Sequence, residues 1–99
     1  MVTHIVLFKL KGRTAEAARQ GQEKLLSMKG RVEMLRHLEV GLDVVHSARS
    51  WDIALYTRFD SLEDLQAYQV HPYHGGEVAP FMRELSESVA VVDYESLDT

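Results

Sequence analysis

The sequence predicts a single α+β domain with the element order β-α-β-β-α-β, a split βαβ pattern with helices on one face of a four-stranded antiparallel sheet. Two observations lead to this prediction. The chain has 99 residues, too few for a second independent core. Along its length the apolar positions alternate between the two-residue period of strands and the longer period of helices.

The first half of the chain predicts a strand, a helix and a second strand. In residues 2–10 the side chains that would point to either face of a strand are mostly apolar, which indicates a strand that is buried on both faces. Thr14 is suited to cap a helix over residues 15–28, and Gly30 supplies its stop. Residues 35–44 alternate between apolar and polar side chains, as a half-exposed edge strand does.

The third strand and the second helix follow. Residues 51–59 are rich in aromatic and branched side chains and predict a strand. Ser61 followed by Asp64 resembles a capping box at the start of a helix. That helix should stop at His71, because Pro72 disfavours helical dihedral angles in the residue before it.

The last elements complete the sheet and leave one of its faces bare. A further helix can restart near Tyr73 and run to Leu85, and residues 88–94 predict the closing strand. Right-handed crossovers place both helical layers on the same side of the sheet. The other side would expose the apolar side chains of the first and last strands, a patch larger than soluble monomers usually tolerate. We therefore expect a homodimer that pairs sheet against sheet.

The composition restricts which binding partners and which cellular compartment we expect for this protein. Eleven basic and fifteen acidic side chains give a formal charge of −4, which speaks against nucleic acid as a partner. The absence of cysteine removes disulfides, thiolate metal sites and thiol nucleophiles, and it fits a cytoplasmic location. The apolar N-terminal run lacks the features of a signal peptide, and no stretch reaches membrane-spanning length.

The candidate site surrounds the predicted helix break. Tyr68, His71 and His74 place a phenol and two imidazoles there, groups suited to general acid/base catalysis near neutral pH. Structural roles are the alternative, since Tyr68 continues an apolar helix face and His71 can cap the last carbonyls of the helix. His4 interrupts an apolar strand, so it must face solvent or a lined pocket, or else form a hydrogen bond with the backbone. We expect no metal site, because the two nearby histidines lack a third ligand.

Four segments together resemble the stress-responsive A/B barrel (Dabb) family: residues 4–9, 51–59, 68–74 and 91–94. The resemblance implies a ferredoxin-like protomer and a homodimer whose sheets form a dimeric α/β barrel. Most members of this family have no established activity.

A plant polyketide cyclase of the family implies the most specific chemistry. It catalyses an intramolecular aldol condensation without a cofactor, using a histidine as general base and an assisting tyrosine. These roles would fall on His74 and Tyr68, with His4 and His71 near the substrate. The chain differs from the cyclase at Ile53, where the cyclase carries a histidine, and in having no tyrosine in its first helix.

Three functions follow from these considerations. The first is a cofactor-independent enzyme or binding protein for a small apolar or aromatic carbonyl compound. The second is a non-enzymatic dimer acting in stress tolerance or protein interaction. The third, drawn from the wider superfamily, is a small monooxygenase-like enzyme.

Overall fold

Four strands and three α-helices follow one another in the predicted order in the computed structural model of the chain, which describes residues 1–97. The strands are β1 (Val2–Leu10), β2 (His37–Leu42), β3 (Ile53–Phe59) and β4 (Ser86–Glu95). The helices are α1 (Ala15–Leu26), α2 (Leu62–Gln69) and α3 (Ala79–Leu85), and a π-helical turn (His74–Val78) directly precedes α3.

The strands form one antiparallel sheet in the order β2-β3-β1-β4. Val6 of β1 lies opposite Leu55 of β3 on one side and opposite Val91 of β4 on the other. Since cross-strand partners share a face, this register fixes which side chains meet the helices. We call that side the helix face, and it carries most of the buried core.

Local side-chain chemistry sets the helix starts as predicted. The Thr14 hydroxyl accepts a hydrogen bond from the Ala17 amide at 3.1 Å, and the Ser61 hydroxyl accepts one from the Asp64 amide at 3.1 Å. Each bond satisfies an amide that has no partner inside its helix. Gly30 follows α1 with a φ of 81°, a conformation in which glycine carries no steric penalty.

Helix α1 approaches the sheet closely at Gly21. A Cβ atom at this position would lie 2.6 Å from Cδ1 of Ile53 and 3.1 Å from Cδ2 of Leu85. Real Cβ atoms essentially never approach another carbon to 2.6 Å, so the glycine allows α1 to pack this closely against β3. The penalty of an interior helical glycine is thus offset by packing.

The second crossover differs from the prediction. Helix α2 ends at Gln69 rather than His71, and the chain then passes through the π-helical turn, in which the Ala79 amide donates to the His74 carbonyl. Gly75 permits this path, because a Cβ there would stand 3.2 Å from the Gln69 carbonyl oxygen. The edge strand β2 is also shorter than predicted and leaves Val44 outside the sheet, 85% exposed.

The second side of the sheet, which we call the open face, is apolar over its middle, with polar side chains such as Thr3, Glu39 and Arg58 toward its edges. It carries Ile5, Leu7, Ala54, Tyr56, Ala90 and Val92, which the register places on one side. Ile5 and Leu7 are half-buried, and Val92 is 52% exposed. Within residues 1–97 the helices pack against the other face, so the predicted bare side of the sheet is present.

The helices are short relative to a lipid bilayer. The longest of those described, α1, has 12 residues. None of the helices within residues 1–97 combines the length and the hydropathy needed to cross a membrane.

Candidate functional site

A cavity of about 310 Å³ lies between the helix face and the segment that runs from the end of α2 into α3. Its wall is largely apolar and its polar groups are few. The lining residues are His4, Val6, Phe8, Leu25, Leu55, Gln69, His74, Val78, Ala79, Met82, Arg83, Val89 and Val91. Val89 and Val91 are about half exposed, which places the mouth of the cavity at the β4 edge of the sheet. Apolar walls with a few polar groups are the usual makeup of a small-molecule site.

His74 enters this cavity from the first position of the π-helical turn. Its ring is half-buried, and its Nδ1 atom is fully buried. Burial lowers the pKa of His74 below its ordinary value of 6.5, and the nearby His4 and His71 act in the same direction. Backbone groups of Gln69 and Tyr68 oppose this shift only in part. His74 is therefore uncharged at neutral pH.

Tyr68 lies behind His74 rather than in the cavity lining. Its side chain is 0% exposed, and its hydroxyl donates to the Met28 sulfur at 3.8 Å. Burial raises the pKa of Tyr68, so the phenol stays protonated at every physiological pH. The ring packs against the His74 imidazole with 3.9 Å between centroids. The hydroxyl faces the core, and the ring supports the imidazole.

His4 lines the cavity from the centre of the sheet and has a partner that the sequence analysis did not identify. It is 4% exposed, and its Nδ1 atom is hydrogen-bonded to the Asp93 carboxylate on β4. The two residues are cross-strand partners on the helix face. The His4 ring also meets the Tyr68 ring edge to face, with 5.8 Å between centroids. This buried imidazole is thus held by a carboxylate and an aromatic ring.

His71 does not line the cavity. Its Nε2 atom lies 3.3 Å from the Glu33 carboxylate, and its Nδ1 atom accepts a hydrogen bond from the Tyr73 amide at 3.1 Å. These contacts fasten the helix break to the loop that follows α1. The structure therefore brings His4 and His74 together at the cavity, places Tyr68 behind them, and leaves His71 outside.

Gln69 and Arg83 also line the cavity without having been identified from the sequence. Spacing offered a partial signal, because Val78 and Met82 follow His74 at four-residue steps and Arg83 comes next to Met82. For metals, the part of the chain that the structure describes brings together no three histidine, cysteine or acidic side chains that could hold an ion.

Comparison with known proteins adds family-level information. Residues 2–96 match the model of the stress responsive A/B barrel domain (Dabb). A stress-response A/B barrel domain-containing protein of Arabidopsis thaliana is 29% identical over 101 residues, which covers 95% of this chain and 36% of the relative. The chain thus spans about a third of the length of that relative.

Solved structures share the fold over nearly their whole length. A dimeric protein of unknown function with a ferredoxin-like fold from Bacteroides fragilis is 36% identical, with a TM-score of 0.81 and coverage of 96% of this chain and 95% of that chain. A hydroxynitrile lyase from Passiflora edulis is 19% identical, with a TM-score of 0.83 and coverage of 99% and 94%. At that identity the second likeness concerns the fold alone.

Proposed function

This chain belongs to the stress-responsive A/B barrel domain family, and from that premise we propose that it is a homodimer whose protomers each bind a small, partly apolar carbonyl compound in the cavity. We further propose that His74 removes a proton from that compound as a general base, without a cofactor.

The homodimer is supported by the open face. Its apolar side chains, including Ile5, Leu7 and Val92, are in contact with water in a lone protomer, and a second sheet laid against them would remove this unfavourable surface. The Bacteroides fragilis protein, at 36% identity, is dimeric. Sheet-to-sheet pairing would give the central barrel that the family name describes.

The observation that carries the proposed chemistry is a half-buried imidazole that lines a mainly apolar cavity. A base for proton abstraction next to a carbonyl must be unprotonated at the working pH, and burial keeps His74 in that form. With its proton on the buried Nδ1 atom, the ring would present the Nε2 lone pair to a ligand. The cavity volume of about 310 Å³ suits a molecule of one ring or a short chain.

The neighbouring residues would act on His74 rather than on the ligand. Tyr68 would fix the orientation of the His74 ring by packing against it, and His71 would anchor the turn from which His74 projects. His4, held by Asp93, would supply a second imidazole from the sheet side, within reach of the ligand. In this arrangement His74 is the catalytic residue, while Tyr68 and His71 are positioning residues.

The test is hydrogen–deuterium exchange of a simple ketone. We expect the protein in D₂O to accelerate loss of the α-hydrogen signals of 4-phenylbutan-2-one, measured by proton NMR against buffer with free imidazole. His74→Asn should return the rate to that background. His46→Asn is the matched control, because His46 is exposed in the β2–β3 loop and its φ of 56° suits asparagine.

Two outcomes would count against this function. One is an exchange rate that His74→Asn leaves unchanged. The other is an absence of amide shift changes around the cavity when the ketone is added, which would mean that the compound does not enter.

A further inference from the structure

Of the described residues that line the cavity, Arg83 alone carries a permanent charge. Among residues 1–97 it forms no ion pair and no side-chain hydrogen bond, whereas arginines elsewhere, such as Arg13 and Arg36, bind aspartates. The chain as a whole is acidic, with a formal charge of −4. An unpaired guanidinium at a cavity in an acidic protein is available for a ligand.

The position of Arg83 relative to His74 sets the geometry of such a ligand. Both residues belong to one continuous helical segment and line the same cavity. An α-helix of this length would rise by roughly 13 Å between the two positions, at ~1.5 Å per residue. Helical side chains generally lean toward the N-terminus of their helix, which would bring the long Arg83 side chain toward the turn that carries His74. A ligand of moderate length can therefore span the two groups.

The wall facing these two groups is apolar in the part of the chain that the structure describes. Val6, Val89 and Val91 form the sheet side next to the mouth, and within residues 1–97 the cavity lining includes no aspartate or glutamate. Asp93 lies nearby on β4, but its carboxylate is bound to His4. A negatively charged group at the mouth would meet Arg83 without meeting a like charge in the lining.

We propose that the cavity selects compounds that carry a carboxylate, which Arg83 binds at the mouth while an apolar body lies against Val6, Val89 and Val91 toward His74. This inference rests on the proposed function, since it names the substrate class of the same site. The planar guanidinium can hold a carboxylate through two parallel hydrogen bonds. The preferred substrates are then aromatic or alkyl acids with a carbonyl group.

A pair of probes that differ only in charge tests this inference. We would titrate 4-phenylbutanoate and 4-phenylbutanamide into the isotopically labelled protein and measure the dissociation constants from amide shifts around the cavity. The wild-type protein should bind the carboxylate about fivefold more tightly than the amide, the scale expected for a charge-assisted contact at a solvent-accessible site. Added salt should reduce this preference.

Two variants with the same change of charge separate a local contact from a general attraction. Arg83→Gln should bring the two dissociation constants within about twofold of each other, because most of the charge-assisted contact is lost. Arg49→Gln should keep the wild-type preference, because Arg49 lies in the β2–β3 loop and does not line the cavity.

The remaining outcomes show whether the carboxylate inference alone is wrong or the binding cavity as well. Equal binding of both probes to the wild-type protein, or a preference that survives Arg83→Gln, overturns the carboxylate inference and leaves the binding cavity of the proposed function intact. If neither probe shifts the cavity signals at millimolar concentration, the binding cavity and the inference are both overturned.

Discussion

The Tyr68 and His74 rings pack against each other with 3.9 Å between their centroids and 32° between their planes. Tyr68 is fully buried, and its hydroxyl donates to the Met28 sulfur on the far side from the cavity. The tyrosine ring therefore packs against the imidazole and supports it from the side away from the cavity. This relationship assigns the ring, rather than the hydroxyl, the main influence on His74.

Replacement of the tyrosine separates the ring from the hydroxyl. Tyr68→Phe should change the free energy of unfolding by less than about 1 kcal/mol, because only a weak bond to sulfur is lost. It should also leave ketone exchange close to wild type. Tyr68→Ala should lower the free energy of unfolding by about 3–5 kcal/mol and abolish exchange, because the ring that supports His74 is removed. Chemical denaturation and the exchange assay measure both effects, and loss of exchange in Tyr68→Phe would show that the hydroxyl takes part directly.

The pH dependence of stability should report the burial of His74. Its pKa is lower in the folded protein than its ordinary value of 6.5, so at mildly acidic pH the unfolded chain binds more protons than the folded one. The free energy of unfolding should therefore fall as the pH drops below about 6.5 and level off below the folded-state pKa.

His74→Asn should flatten this part of the stability profile, whereas His46→Asn should leave it unchanged. Urea unfolding at a series of pH values provides the measurement. A profile that is the same in His74→Asn and in the wild-type protein would contradict the assignment of this titration to His74.

Gly21→Ala should destabilise the protein, although alanine is the better helix former. The new Cβ would stand 2.6 Å from Cδ1 of Ile53, and Leu85 and Met82 close the space beside it. Because Ile53 is buried, the overlap should cost about 1–2 kcal/mol after the gain in helix propensity is subtracted. Thermal or urea unfolding measures the change.

A second substitution identifies the clash. Ile53→Val removes the Cδ1 atom, so the double variant Gly21→Ala/Ile53→Val should be more stable than the sum of the two single effects predicts. Gly76→Ala is the control, since a Cβ atom there would meet nothing within 4 Å. A stabilised Gly21→Ala protein would show that α1 can move away from the sheet at no cost.

The open face should determine the oligomeric state. We expect the wild-type protein to sediment as a dimer at micromolar concentration, and Val92→Lys to shift it toward the monomer, because a charge would be placed in an apolar interface. Val44→Lys is the matched control, since Val44 is exposed in the β2–β3 loop, outside the sheet. Circular dichroism would verify that each variant is folded, and a folded wild-type monomer would contradict the homodimer.

Features that depend on local chemistry were predictable from the sequence. Thr14 and Ser61 cap their helices because a hydroxyl beside a helix start satisfies a free amide wherever it occurs. The four strands and their places along the chain followed from the apolar periodicity. The bare side of the sheet followed from the handedness of the crossovers.

Features that depend on register and rotation were not predictable. Nothing local indicates that Asp93 lies opposite His4, because that pairing is set by the alignment of two strands that are distant in the chain. The direction of the Tyr68 hydroxyl depends on where Met28 lies. The π-helical turn changes the periodicity between His74 and Arg83, so a sequence pattern read as α-helix misplaces both residues around the axis.

The wider hydrogen-bonded ring of the π-helical turn gives the segment from His74 to Val78 one residue more than an α-helix of the same span would hold. Each helical residue advances the chain by roughly 100° around the axis. Deleting a single residue such as Gly76 would let the turn relax to α-helix with the imidazole kept close to its present direction relative to α3. Closing the turn as α-helix with all its residues retained would instead rotate the imidazole by about a quarter of a circle. The direction of the His74 ring relative to α3 is thus set by the π-helical turn that accommodates the additional residue, and not only by which side chains the segment carries.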